Sequence, residues 1–101
     1  MRYGGGMWTR EIYVAARVLL DLEQAPFADL AGVSRSTVQR VERDPIGNPK
    51  GAEKVRAAME AAGIRVAFGG ETVVLSLDKA AKDRWMREAE AKIAHKASSS
   101  D

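Results

Sequence analysis

The chain has 101 residues, 46% of them hydrophobic, with a formal charge of +2 and no cysteine. That length suits one small core and hardly two, and the missing cysteine excludes disulfide staples and cysteine-ligated zinc and fits a reducing cytoplasm. No apolar run approaches the roughly 20 residues of a membrane span, the start MRYGGGMWTR lacks a secretory signal's apolar stretch, and the mild positive charge leans only weakly towards polyanionic partners.

Residues 1–8 read as a flexible arm, within which Met7 is an alternative start to Met1. In TREIYVAARVLLDL, Ile12, Ala15 or Ala16, Leu19 and Leu22 recur at helical spacing behind Thr9, a capping residue. A short second helix covers PFADLA; Glu23 is a poor cap, so this helix is expected to start a residue or two late, with Pro26 in its first turn. Gly32 interrupts the run, Ser34 caps a third helix through RSTVQRVER, and Asp44 before Pro45 ends it. DPIGNPKG reads as a loop, and AEKVRAAMEAA as a fourth helix with Val55, Met59 and Ala62 on one face and a stop at Gly63.

IRVAF and ETVVLSL flank Gly69-Gly70, and a two-residue turn there predicts a hairpin with Ile64 opposite Leu75 and Val66 opposite Val73. Asp78 caps a last helix from Lys79 to Lys96, on which Ala81, Trp85, Ala89 and Ile93 form a narrow apolar stripe. Residues 97–101 read as a disordered tail, and neither repeats nor low-complexity tracts beyond the serines occur.

The most informative stretch is ADLAGVSRSTVQRVERD, where two short helices meet across a tight turn. Ala28 is small where a second helix must approach, Gly32 supplies the positive backbone dihedral of a sharp turn, and Val33 buries that turn. Val38 and Val41 face inward, leaving Arg35, Ser36, Thr37, Gln39 and Arg40 on the other faces of the third helix.

With these residues, Gln24 to Arg43 resembles the twenty-residue core of the λ-repressor-like, Cro-type helix-turn-helix family of bacterial and phage DNA-binding regulators. Gln24 falls at the motif's first position, Phe27 and Ala28 at the apolar and small sites of its first helix, Gly32 at its turn, and Val33, Val38 and Val41 at later apolar sites. The resemblance spans residues 9–63. It implies a λ-repressor-like helix-turn-helix bundle of four helices and a phosphate contact from Gln24; with the β-hairpin and C-terminal helix read from the residues beyond it, the expected fold is mainly α. It also implies that Arg17 of the first helix meets Glu42 near the end of the third, a structural ion pair rather than an exposed one worth little.

On their own, Arg35, Arg40 and Arg43 are consistent with a merely solvated helix face. On a helix-turn-helix framework they sit where a recognition helix enters the major groove, so the DNA-contacting set is Gln24, Ser34, Arg35, Ser36, Thr37, Gln39, Arg40 and Arg43, with Asn48 and Lys50 of the next loop as phosphate ligands. Arginine can donate twice to guanine, glutamine can pair with adenine, and a threonine methyl can touch that of thymine.

The expected partner is double-stranded DNA, read by a cytoplasmic homodimer, because one recognition helix covers few base pairs. Residues 64–96 are the expected dimerisation extension, with Ile64, Val66, Val73 and Leu75 of the hairpin and Trp85, Ala89 and Ile93 of the last helix at the interface; the bland alternative folds both onto the chain's own helices. A second function is an antitoxin or interaction module whose hairpin and last helix bind a partner protein. Enzymatic readings have little support: His95 lacks a nucleophile or metal-ligand partner nearby, and Gly4-Gly5-Gly6 and Gly69-Gly70 lack the Lys-Ser/Thr and strand-to-helix context of a phosphate loop. No cofactor or membrane contact is called for.

Overall fold

The computed structural model describes residues 7–99, so expectations for residues 1–6 and 100–101 lie outside the described residues. Helix α1 spans Arg10–Leu19, α2 Gln24–Ala31, α3 Arg35–Arg43 and α4 Pro49–Ala61; strands β1 (Ile64–Phe68) and β2 (Val73–Leu77) follow, and α5 runs Lys79–Ser99. This is the expected mainly helical architecture, four helices ahead of a hairpin and a terminal helix. No helix among the described residues is long and apolar enough to cross a membrane.

Local chemistry sets most of the boundaries. The hydroxyl oxygens of Thr9 and Ser34 accept from the amides of Ile12 and Thr37, and Asp78 Oδ1 accepts from Ala81 N, so three helix starts have a side chain on an otherwise orphaned donor. Helix α2 lacks such a bond, yet it begins at Gln24 directly after Glu23, not a residue or two late. Pro26 lies in its first turn, where a missing N–H costs nothing. Helix α4 also starts earlier than expected, at Pro49, because proline's fixed φ is pre-set for a first helical position. The loop is thereby shortened to residues 44–48.

One core holds the elements together. Phe27, Leu20, Met59, Ile64, Val38, Val41 and Val55 are its largest fully buried side chains, and burying one such side chain is worth about 1.5–3 kcal/mol. On α1 the inward face is Ile12, Tyr13 and Ala16, with Leu20 just beyond; of the two expected alternatives Ala16 is the buried one, and Leu19, at 40% exposure, departs from the expected stripe. Leu20, four residues after Ala16, continues the inward line, whereas Leu19 falls a third of a turn away.

Trp8, assigned to the arm, is a core residue at 2% exposure. Its ring lies 5.2 Å from that of Tyr13 and beneath the Arg56 guanidinium, 4.9 Å from the ring centre, so a large apolar surface and a cation–π contact anchor the chain here. The Tyr13 hydroxyl donates to the Ala52 carbonyl at 3.3 Å, and burial raises its pKa, keeping the phenol a neutral donor.

The hairpin forms, but with a different register. Ile64 pairs with Leu77, Val66 with Leu75 and Phe68 with Val73, so Gly69 to Thr72 make a four-residue connection closed by Gly69 N donating to Thr72 O at 2.8 Å. A shift of two residues leaves every side chain on its expected face, since strands alternate with period two. That face packs inward: Ile64 is fully buried, and Val66, Phe68, Leu75, Leu77 and Trp85 lie against the core. The expected division at Gly63 therefore cuts through a shared core, and helix α5 continues to Ser99, past the expected tail boundary.

Two glycines hold left-handed or wider backbone angles, Gly32 at φ 74° and Gly63 at φ 103°. A methyl at Gly32 would meet nothing within 4 Å, whereas one at Gly63 would sit 2.5 Å from the Asp78 carbonyl oxygen, whose own amide bonds the Gly63 carbonyl. Gly32→Ala should therefore cost about 1–2 kcal/mol of backbone strain alone, and Gly63→Ala clearly more, as unfolding in urea would register. Equal losses for the two would mean that the contact with Asp78 is not limiting.

Candidate nucleic-acid interface

Helix α3 is polar on every side except where Val38 and Val41 enter the core. At about 100° per residue, the direction opposite those valines is occupied by Ser36, Gln39, Arg40 and Arg43, with Arg35 and Thr37 at the flanks. Arg35, Ser36, Arg40 and Arg43 are exposed, and Thr37 and Gln39 half-buried. No ion pair among the described residues engages Arg35, Arg40 or Arg43. The cationic face is thus uncompensated by any ion pair among the described residues.

The start of α3 is ordered by hydroxyls. Ser34 Oγ lies 2.8 Å from Thr37 Oγ1 and 3.1 Å from Ser36 Oγ, besides accepting from the Thr37 amide. These exposed groups fix how the first turn of the helix is presented.

Gly32 delivers α3 at its angle to α2. Its left-handed conformation ends α2 with amide bonds to the carbonyls of Asp29 and Ala28 from Gly32 and Val33, a tight helix exit that Ala28, nearly fully buried, leaves room for. Behind it lies a polar clamp. Arg17 donates through Nε and Nη2 to the two oxygens of Glu42 and through Nη1 to the Leu22 carbonyl at 2.9 Å, and Gln24 Nε2 donates to Glu42 Oε1 at 2.9 Å. The Arg17 and Glu42 side chains are only 15% and 7% exposed, so the ion pair expected from the resemblance is present, is largely buried and proves bidentate. Gln24, expected on a phosphate, has one amide donor committed inside the protein. Its eighteen-residue separation from Glu42 gave the sequence no local signal of that bond.

The loop after α3 folds back towards it. Asp44 Oδ1 accepts from Gly47 N at 3.0 Å, and Asn48 Nδ2 donates to the Asp44 carbonyl at 2.8 Å. Asn48 thereby shapes the loop. Thr37, Arg40, Asn48, Pro49, Lys50 and Gly51 line a shallow depression of about 330 Å³ where the first turn of α4 meets α3. Free amides and the positive end of the helix dipole point outward at such a terminus, and Arg40 and Lys50 add two cations. The arrangement is suited to an anion, and it joins the expected loop residues to the face of α3.

The expected interface residues lie elsewhere and are mostly covered. Ile64 is sealed in the core, Val66, Leu75 and Trp85 pack against it, and Ala89 is buried, whereas Val73 and Ile93 remain 49% and 45% exposed. The Trp85 ring stacks on Phe27 with centroids 6.1 Å apart, which is why the apolar stripe of α5 finds its cover within the chain. Sequence periodicity detected the stripe but carried no information on what covered it.

A family model described as helix-turn-helix matches residues 15–65, half of the chain, and the chain belongs to that family, in its Cro-type, λ-repressor-like form. No curated protein and no solved structure matches. The chain is accordingly a DNA-binding transcriptional regulator in kind, and its family is a regulatory rather than an enzymatic one.

Because the clamp is buried, removing one partner strands the other. Arg17→Met should cost about 3 kcal/mol in urea unfolding, the low end for a broken buried pair, and Arg17→Met with Glu42→Leu should be less destabilised than Arg17→Met alone. A double variant showing the sum of the single losses would indicate no coupling between the two side chains.

Proposed function

We propose that the protein is a sequence-specific transcriptional repressor that binds a palindromic operator as a homodimer and acts by occluding a promoter. What supports this most is the uncompensated face of α3, where Arg35, Ser36, Gln39, Arg40 and Arg43 stand clear of the core. Arg35, Gln39 and Arg40 are the base-reading residues, with geometry suited to guanine and adenine edges. Ser34, Ser36 and Thr37 present the helix start, Arg43 and Lys50 meet the phosphate backbone, and Asn48 holds the loop that leads into α4, whose first turn carries Lys50. Gln24, with one donor on Glu42, retains a second amide hydrogen for a phosphate. Two half-sites about 34 Å apart call for a symmetric pair of recognition helices.

A module that also holds a partner protein through its C-terminal segment is the second reading. It is favoured by an open groove of about 790 Å³ between the α2–α3 turn, α4 and α5, lined by Leu30, Val33, Ala57, Trp85, Ala89 and Ile93 among others. The outward residues of α3 are absent from that lining, so the two readings are compatible.

Selection of bound sites from random duplex DNA tests the first reading, and the selected site then separates the roles. Arg40→Ala or Arg35→Ala should cost about 1–3 kcal/mol at the selected site and relax the preference for one base position. Lys50→Ala should weaken binding to all sequences alike and lower the salt slope by about one. A selection that enriches no sequence, or arginine variants with unchanged preference, would remove α3 as the reader.

A further inference from the structure

Helix α5 outruns the body it packs against. Trp85 is half-buried and Ala89 buried, yet every residue from Glu90 to Lys96 is exposed, and the helix runs on to Ser99. The open groove of about 790 Å³ lies between this overhang, α4 and the α2–α3 turn. Its lining on α5 extends from Trp85 to Lys96. At about 1.5 Å per residue that is roughly 16 Å, or three helical turns.

The lining combines apolar surface from three sides with an excess of cations. Leu30 and Val33 come from the α2–α3 turn, Ala57 from α4, and Trp85 and Ile93 from α5. The charged lining residues are Lys54, Lys92 and Lys96 against Asp29 and Glu88. Lys54 on α4 and Lys92 on α5 are both exposed, and neither enters an ion pair among the described residues. Positive charge therefore stands on both helices that flank the apolar surface.

We propose that the groove holds an acidic amphipathic helix of a partner protein, with its apolar face on Leu30, Val33, Ala57, Trp85 and Ile93 and its carboxylates against Lys54, Lys92 and Lys96. This rests on the partner-protein reading and supplies the partner's chemistry. A groove about three turns long takes the anchors that a docked helix presents at i, i+4 and i+7. Charge then chooses among occupants. A second copy offering its own exposed α5 end would bring Lys92, Lys96 and one acid, Glu90, into a groove that already holds three lysines. A nucleic-acid strand would meet the lysines but not the aliphatic side chains of Leu30, Val33 and Ile93. An acidic amphipathic helix answers both, and the groove's own Asp29 and Glu88 exclude an acid opposite them, which restricts its register.

Synthetic helices of about four turns, with leucine on one face and glutamate, glutamine or lysine on the flanks, test this on the full chain by fluorescence anisotropy. The glutamate helix should bind, the glutamine helix severalfold more weakly, and the lysine helix more weakly still. Ala57→Glu, at an exposed helical position, sets a carboxylate in the groove and should weaken the glutamate helix roughly tenfold or more, with unchanged helical content. K54E/K92E should reverse the order and prefer the lysine helix, a reversal that loss of folding does not produce. Equal binding of all three helices, lost in Ala57→Glu, would overturn the acidic partner and leave the partner-protein reading standing. Binding of none would overturn both. Self-association of the parent that Ala57→Glu abolishes would give the groove to a second copy, and duplex binding lost in K54E/K92E would give the lysines to DNA; either result overturns the proposal.

Discussion

The position of α3 depends on a single carboxylate. Glu42, near the end of α3, is largely buried and must be satisfied where water is scarce, and it is satisfied by the guanidinium of α1 and the amide at the first residue of α2. The third contact of Arg17, to the Leu22 carbonyl, draws in the connection between those two helices. Three helices and one link thereby converge on one charge pair. Burial of Val38, Val41 and Phe27 supplies most of the free energy but constrains orientation weakly, because apolar attraction has no direction. A bidentate pair does have direction, and α3 can rotate about its axis only by breaking it.

That division of labour explains what was legible in the sequence. Elements set by neighbouring residues were readable: the caps at Thr9, Ser34 and Asp78, the exit at Gly32, and the stop at Asp44 before Pro45 each act within a few positions. The polar face of α3 was readable for the same reason, since two valines three apart fix its inward direction. Features set by distant contacts were not. Trp8 looked like part of a loose arm because its partners, Tyr13 and Arg56, form a pocket only after α1 and α4 pack. The hairpin register depended on whether two or four residues made the connection, and Gly69-Gly70 fits either until Thr72 closes the loop. The Arg17–Glu42 pair came from family resemblance, and the Gln24 bond to the same carboxylate came from neither.

The C-terminal segment is the larger revision. A stripe of Ala81, Trp85 and Ala89 on an amphipathic helix has the same pattern whether it covers its own domain or another copy, so spacing alone could not choose. The choice falls to shape: Phe27 on α2 offers an aromatic face that Trp85 stacks upon, and Ile64 anchors β1 in the same core as Phe27 and Met59. Residues after Gly63 are consequently part of the same hydrophobic unit as the helix-turn-helix, and α5 braces α2 through the stack of Trp85 on Phe27.

This bracing bears on how two readers could be held at a fixed spacing. A dimerisation segment on a slack tether would let each recognition helix find its half-site independently, with a gain in affinity set only by effective concentration. Here β1 follows α4 through Gly63 and the Asp78–Gly63 bond, and the strands lie against α1 and α4, the first of which carries the arginine that clamps α3. The path from hairpin to α3 therefore passes through packed elements rather than a linker. Any contact made at the hairpin would be transmitted as an orientation of α3 as well as a proximity, which is what discrimination between correctly and incorrectly spaced half-sites demands.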